Sequence, residues 1–157
     1  MDTIYKEMFD SAHLLCEQIR RHLFKLVGPE GPALVVLDTE RRLQTSHPGR
    51  IGFLLGDNER LVEQMCARLD DGEDPLVIPV NGGCAAACQL ATERVHCGYL
   101  IVLFEGYDAE TLSANMAMVE LILAQAQLIC ELLDKNNQLH HLRLLDLSRS
   151  SEVLTRT

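Results

Sequence analysis

The residues with chemistry to offer are six cysteines, Cys16, Cys66, Cys84, Cys88, Cys97 and Cys130, with His96 directly beside Cys97. Thiolates bind zinc and attack electrophiles, so spacing and surroundings decide what these can do. The stretch Cys84 to Ala91 lies between tight-turn residues and ahead of a clear apolar strand, and we read it as a strand despite its alanines. On a strand Cys84 and Cys88 share a face but stand about 13 Å apart at roughly 3.3 Å per residue. One zinc needs its sulfurs about 2.3 Å from the metal, so this pair cannot share it. His96 and Cys97, adjacent on a strand, point to opposite faces. The expectation is small buried core thiols, with no metal site and no catalytic residue. His140-His141 has no kinase-like surroundings and is expected in solvent, and Gly82-Gly83 is a turn rather than a phosphate cradle. Arg41, Arg42 and Arg50 are the cations that could meet an anionic ligand.

These residues belong to a chain of 157, one domain by length and long enough for a real core. Hydrophobic residues make up 47%, which excludes disorder, and the formal net charge of −9 argues against a nucleic-acid partner. Much of that charge sits between Asp57 and Asp74, where a solvated helix face and its following turn account for it. The first residues lack the basic and apolar regions of a signal peptide, and no uninterrupted apolar run nears the roughly 20 residues of a bilayer span. A cytoplasmic protein with reduced thiols and no membrane partner is expected.

Residues Thr3 to Val27 carry Ile4, Met8, Leu15, Ile19, Leu23 and Leu26 at helical spacing, and Gly28-Pro29 stops that helix. Pro32 to Leu37 and Leu43 to Ser46 form a hairpin across Asp38-Thr39-Glu40-Arg41, and His47-Pro48-Gly49-Arg50 turns into a loop holding Phe53, Leu54 and Leu55. Gly56-Asp57-Asn58 caps a helix from Glu59 to about Leu69. Pro75 to Val80 is a strand whose prolines place it at a sheet edge or bulge. Tyr99 to Phe104 is apolar on both faces and should be central. Asp108, with Glu110 behind it and Tyr107 and Leu112 placed as a hydrophobic staple, starts a helix expected to run unbroken to about Arg149. At about 1.5 Å per residue it would be roughly 60 Å long, more than this domain can cover.

The order of elements, with Val35-Val36-Leu37-Asp38 and its turn, the Pro75–Val80 strand, and Cys97-Gly98-Tyr99-Leu100-Ile101-Val102-Leu103-Phe104 leading into Asp108-Ala109-Glu110-Thr111-Leu112, resembles that of GAF domains, sensory relatives of PAS domains. The resemblance implies an α/β (α+β) fold, a GAF-like antiparallel sheet flanked by N- and C-terminal helices. It also implies that those helices pack on one sheet face, carry dimerisation and pass a signal onward. The opposite face would hold an unidentified small-molecule ligand. On that pattern the ligand-binding candidates are Arg50, Phe53, Leu55, Leu61 and Met65; no cofactor is indicated.

The long helix adds a pattern of its own. Leu121, Leu128, Leu132, Leu139 and Leu142 fit alternating seam positions, with Gln125, Lys135 and Asp146 between them. Leucines beyond about residue 133 have no domain surface left to cover, which nominates Leu139, Leu142 and Leu145 as dimerisation residues, with Leu128 and Leu132 of the same seam as further contact. We therefore expect one GAF-like domain over residues 1–147 and a polar tail or linker over 148–157 of the kind that leads to an output domain. The expected function is a non-enzymatic cytoplasmic sensor or regulator that binds a small molecule as a homodimer. A dimeric scaffold of the same fold without ligand is the first alternative. A thiol-based redox sensor or an enzyme like the GAF-type free methionine sulfoxide reductase is the second.

Overall fold

The computed structural model describes the backbone of residues 2–55 and 59–155, with side chains for 11–51 and 59–149. Its centre is a five-stranded antiparallel sheet in the order β2-β1-β5-β4-β3, formed by β1 (Ala33–Asp38), β2 (Leu43–Thr45), β3 (Leu76–Val80), β4 (Gly83–Ala91) and β5 (His96–Glu105). The helices are α1 (Asp2–Leu26), α2 (Pro48–Leu55), α3 (Glu59–Asp70), α4 (Ala109–Ala114) and α5 (Met116–Thr155). The fold is mixed α and β, with an antiparallel sheet, as the sequence suggests.

β5 takes the middle because its run from Cys97 to Leu103 is buried throughout, which only a strand covered on both sides permits. It pairs with β1 from Ala33–Leu103 to Asp38–Gly98, and with β4 from Gly83–Glu105 onward. Alternation then divides the core in two. Leu34, Val36, Ala86, Leu100 and Val102 face α1 and α5, where Leu15, Ile19, Leu23, Val119 and Leu123 meet them. Val35, Leu37, Ala85, Ile101 and Leu103 face α3, where Met65, Cys66 and Leu69 meet them. Cys84 to Ala91 is a strand, as its flanking turns imply; both neighbours hold it there, and its small side chains let helices approach from either face.

Three local features differ from the sequence expectation. The segment holding Phe53, Leu54 and Leu55 belongs to helix α2 rather than a loop, its helical spacing too short for periodicity to reveal. The helix expected to run unbroken from Asp108 is interrupted at Asn115. Asp108 does cap α4, its carboxylate accepting from the Thr111 amide at 2.6 Å. Asn115 then gives its side-chain amide to the Thr111 carbonyl and leaves the helical region, while its own carbonyl accepts from Met118 and Val119. Asparagine competes for backbone partners in this way, and the competition ends one helix and begins the next. Finally, α5 continues through Ser148 to Thr155, across residues whose polarity suggests a tail.

The bulge at the start of β5 positions a functional-looking residue. Leu90 pairs with Gly98 and Ala91 with His96, leaving Cys97 as the extra residue. Gly98 has φ +152°, and a β-carbon there would run into the Leu37 carbonyl. Gly98→Ala should therefore cost more than the roughly 0.5–3 kcal/mol of an ordinary substitution. Urea denaturation monitored by circular dichroism checks this; a midpoint equal to the parent's would show that the bulge tolerates a side chain.

Candidate functional site

The sequence candidates scatter over three places. The cysteines are all free and buried, and five of them lie on the α1–α5 side of the sheet. The bulge turns Cys97 away from the face of Tyr99 and sets its Sγ 3.8 Å from Sγ of Cys130 on α5. His96, on the other side of the chain, is exposed and edges onto the Tyr99 ring at 5.1 Å. The hydrogen bond to Cys130, then burial, push the Cys97 thiol up; burial pushes Cys16 and Cys88 each to about 12. Cys66, on the α3 side, is raised by burial although the Arg41 guanidinium beside it pulls the other way. The bond from Cys97 pulls the Cys130 thiol down against its burial, while the raised thiols are protonated at neutral pH and are poor nucleophiles. Among the described residues no three His, Cys, Asp or Glu side chains converge as metal ligands. The Cys97–Cys130 approach spans 33 residues and two elements; its one sequence signal is Gly98 inside a strand, which marks a bulge.

The arginines are committed to structure. Arg41, the one described non-glycine residue at positive φ (67°), closes the β1–β2 turn. Its guanidinium lies 4.7 Å over the Tyr99 ring and 3.6 Å from the Asp70 carboxylate. Asp70 also accepts from Tyr99 Oη at 2.7 Å and Gln89 Nε2 at 2.8 Å; these bonds outweigh the upward push of burial and hold its carboxyl below the usual range. Burial and this bond to Asp70 push the Tyr99 phenol up to about 12. Arg42 pairs with Asp38 and Glu40. Arg50 pairs with Glu105 at 2.9 Å and donates to the Gly31 carbonyl at 2.6 Å.

Of the ligand-binding candidates, Met65 is 1% exposed within the α3-side core, and Leu61 is half-buried at that core's margin. Phe53 and Leu55 lie outside the residues with described side chains. Two clefts open elsewhere among the described residues. One of about 70 Å³ lies between α1 and the β1–β2 hairpin, beside Cys16 and Arg20. The other, about 250 Å³, lies between α5 and the β3–β4 edge, beside Asp74 and Glu120. Both fall below the roughly 300–1,000 Å³ of sites that enclose small molecules.

The dimerisation candidates sit together. Val119, Leu123, Ala126 and Cys130 turn one side of α5 onto the sheet, fastened by Gln127 donating to the Ala91 carbonyl. Near the sheet's end Arg94 pairs with the almost buried Asp134 at 2.8 Å, and Gln18 and Asn137 exchange two hydrogen bonds between α1 and α5. The opposite side carries Leu121, Leu128, Leu132, Leu139 and Leu142, each 53–57% exposed, and Met118 at 63%. Beyond Leu133 every leucine is exposed as far as Leu147, Leu145 included at 42%. Over Met116–Arg149 α5 is long and apolar enough to cross a membrane by composition, with a mean hydropathy of 1.7 in its best window. Part of that helix already packs on the sheet. No protein-family model, curated protein or solved structure matches this chain.

The thiol chemistry has a direct check. Native protein should expose less than about one thiol per chain to an aromatic disulfide reagent, and all six in denaturant. Rapid modification of two or more thiols without denaturant would favour the thiol-enzyme reading.

Proposed function

We propose that this chain is a non-enzymatic assembly domain of GAF-like build, whose α/β platform presents α5 for association with a second copy. The observation that carries the reading is the outward leucine series of α5, which runs along the covered part of the helix and continues past the sheet. Apolar side chains on a projecting helix have no reason to be there for folding, because the sheet is already covered by the other side. The GAF-like build is supported by α1 and α5 packing on one sheet face. Ligand-driven signalling needs room on the α3 face, where the described side chains of Met65, Cys66 and Leu69 are 1–2% exposed; this favours assembly over sensing.

The magnitudes set the strength of association. Fully burying a leucine contributes roughly 1.5–3 kcal/mol, and these are already about half covered, so each adds on the order of 1 kcal/mol when a partner closes over it. Leu128, Leu132, Leu139 and Leu142 from each copy give about 8 kcal/mol gross against a cost of about 4–15 kcal/mol for lost freedom. The dimer is therefore concentration-dependent rather than permanent.

Replacing Leu139 and Leu142 with aspartate removes four such contacts per dimer and places charges in the seam, raising Kd by more than about 100-fold. Sedimentation equilibrium of the parent and the Leu139→Asp/Leu142→Asp chain measures this, and circular dichroism should show the platform unchanged. A parent chain that stays monomeric at high micromolar concentration ends the proposal.

A further inference from the structure

The seam of α5 runs Met118, Leu121, Gln125, Leu128, Leu132, Lys135, Leu139, Leu142, Asp146, Arg149, in alternating steps of three and four. That is the repeat of a two-stranded coiled coil. Two of its members decide how a second helix can lie. In a parallel pair each seam residue meets its own copy, because a two-fold axis runs along the seam. Lys135 would then face Lys135 and Asp146 would face Asp146, stacking like charges in two layers. Neither residue has an ion-pair partner among the described residues, and Glu131, Arg143 and Arg149 at helical spacing offset that repulsion only in part.

Resting on the self-association just argued, we propose that two copies of α5 pair antiparallel, with Lys135 of each chain against Asp146 of the other. Antiparallel helices set the residue that begins a three-step against one that ends a three-step, and this register obeys that rule throughout. Leu139 meets Leu142 next to the axis, Lys135 meets Asp146 on either side, and the stem of Arg149 covers Leu132. The axis lies between residues 139 and 142, beyond the sheet, where α5 is exposed on all sides. The two platforms thus sit at opposite ends of the overlap and do not compete for space.

A charge-exchange cycle tests the register. Lys135→Glu and Asp146→Lys are surface changes that keep good helix formers, and each alone turns two opposite-charge contacts into like-charge ones. Each should raise Kd by roughly tenfold or more, and the double exchange should return it to within about threefold of the parent. In a parallel dimer either change merely replaces one like-charge layer by another, so single variants that dimerise as the parent does would overturn the proposal. Disulfide trapping gives an independent readout. A mixture of Leu139→Cys and Leu142→Cys chains should cross-link between the two variants, whereas Leu139→Cys linking chiefly to itself would show the parallel arrangement. A dimer that fails these tests refutes the register alone; a parent chain without any dimer refutes self-association as well.

Discussion

The structure depends on one strand being apolar on both faces. Between Cys97 and Leu103 every β5 side chain is buried, and such a strand cannot sit at an edge or against water. It must be paired on both sides and covered above and below. β1 and β4 supply the pairing, α1 with α5 one cover, and α3 the other. β4 matters as much by being small. Its alanines and cysteines leave room for α5 to approach one face and α3 the other, so an intrinsically poor strand former is held in place by its neighbours and by packing.

That packing gives α5 two unlike sides. Val119, Leu123, Ala126 and Cys130 settle onto the small residues of the sheet, and Asp134 with Asn137 marks the point where polar fastenings replace apolar ones. From there the helix leaves the platform with its leucines uncovered. A helical stretch without tertiary packing is only marginally ordered in water, so the proposed partner helix would add to its order. The platform's own stability and the helix's order beyond residue 138 are separate quantities, and under the proposed self-association only the second answers to concentration.

Much of this was legible in the residues. Strong apolar runs announced β1 and β5, turn residues bracketed β4, and the prolines of β3 suggested an edge or a bulge, of which the sheet shows the edge. The seam leucines of α5 were legible because helical spacing survives any tertiary detail. What escaped depended on contacts distant in sequence or on short-range competition. Asn115 breaks the helix through a bond to Thr111 that no periodicity reports. The bulge that carries Cys97 to Cys130 depends on how β5 pairs, and the Arg41–Asp70–Tyr99–Gln89 network joins the β1–β2 turn to α3, β5 and β4, whose proximity exists only in the fold. The small-molecule reading rested partly on Phe53 and Leu55, whose side chains lie outside the described set, and partly on Met65, which packs into the core.

The central claim is that the outer face of α5 is completed by a second copy. Hydrogen–deuterium exchange across a concentration series measures this most directly, because it reads the order of the helix itself rather than the size of the particle. Amides of residues 139–149 should exchange fast at low micromolar concentration and slow progressively as concentration rises, while those of β5 stay protected throughout. Exchange in residues 139–149 that is the same at every concentration, whether fast or slow, would contradict the account.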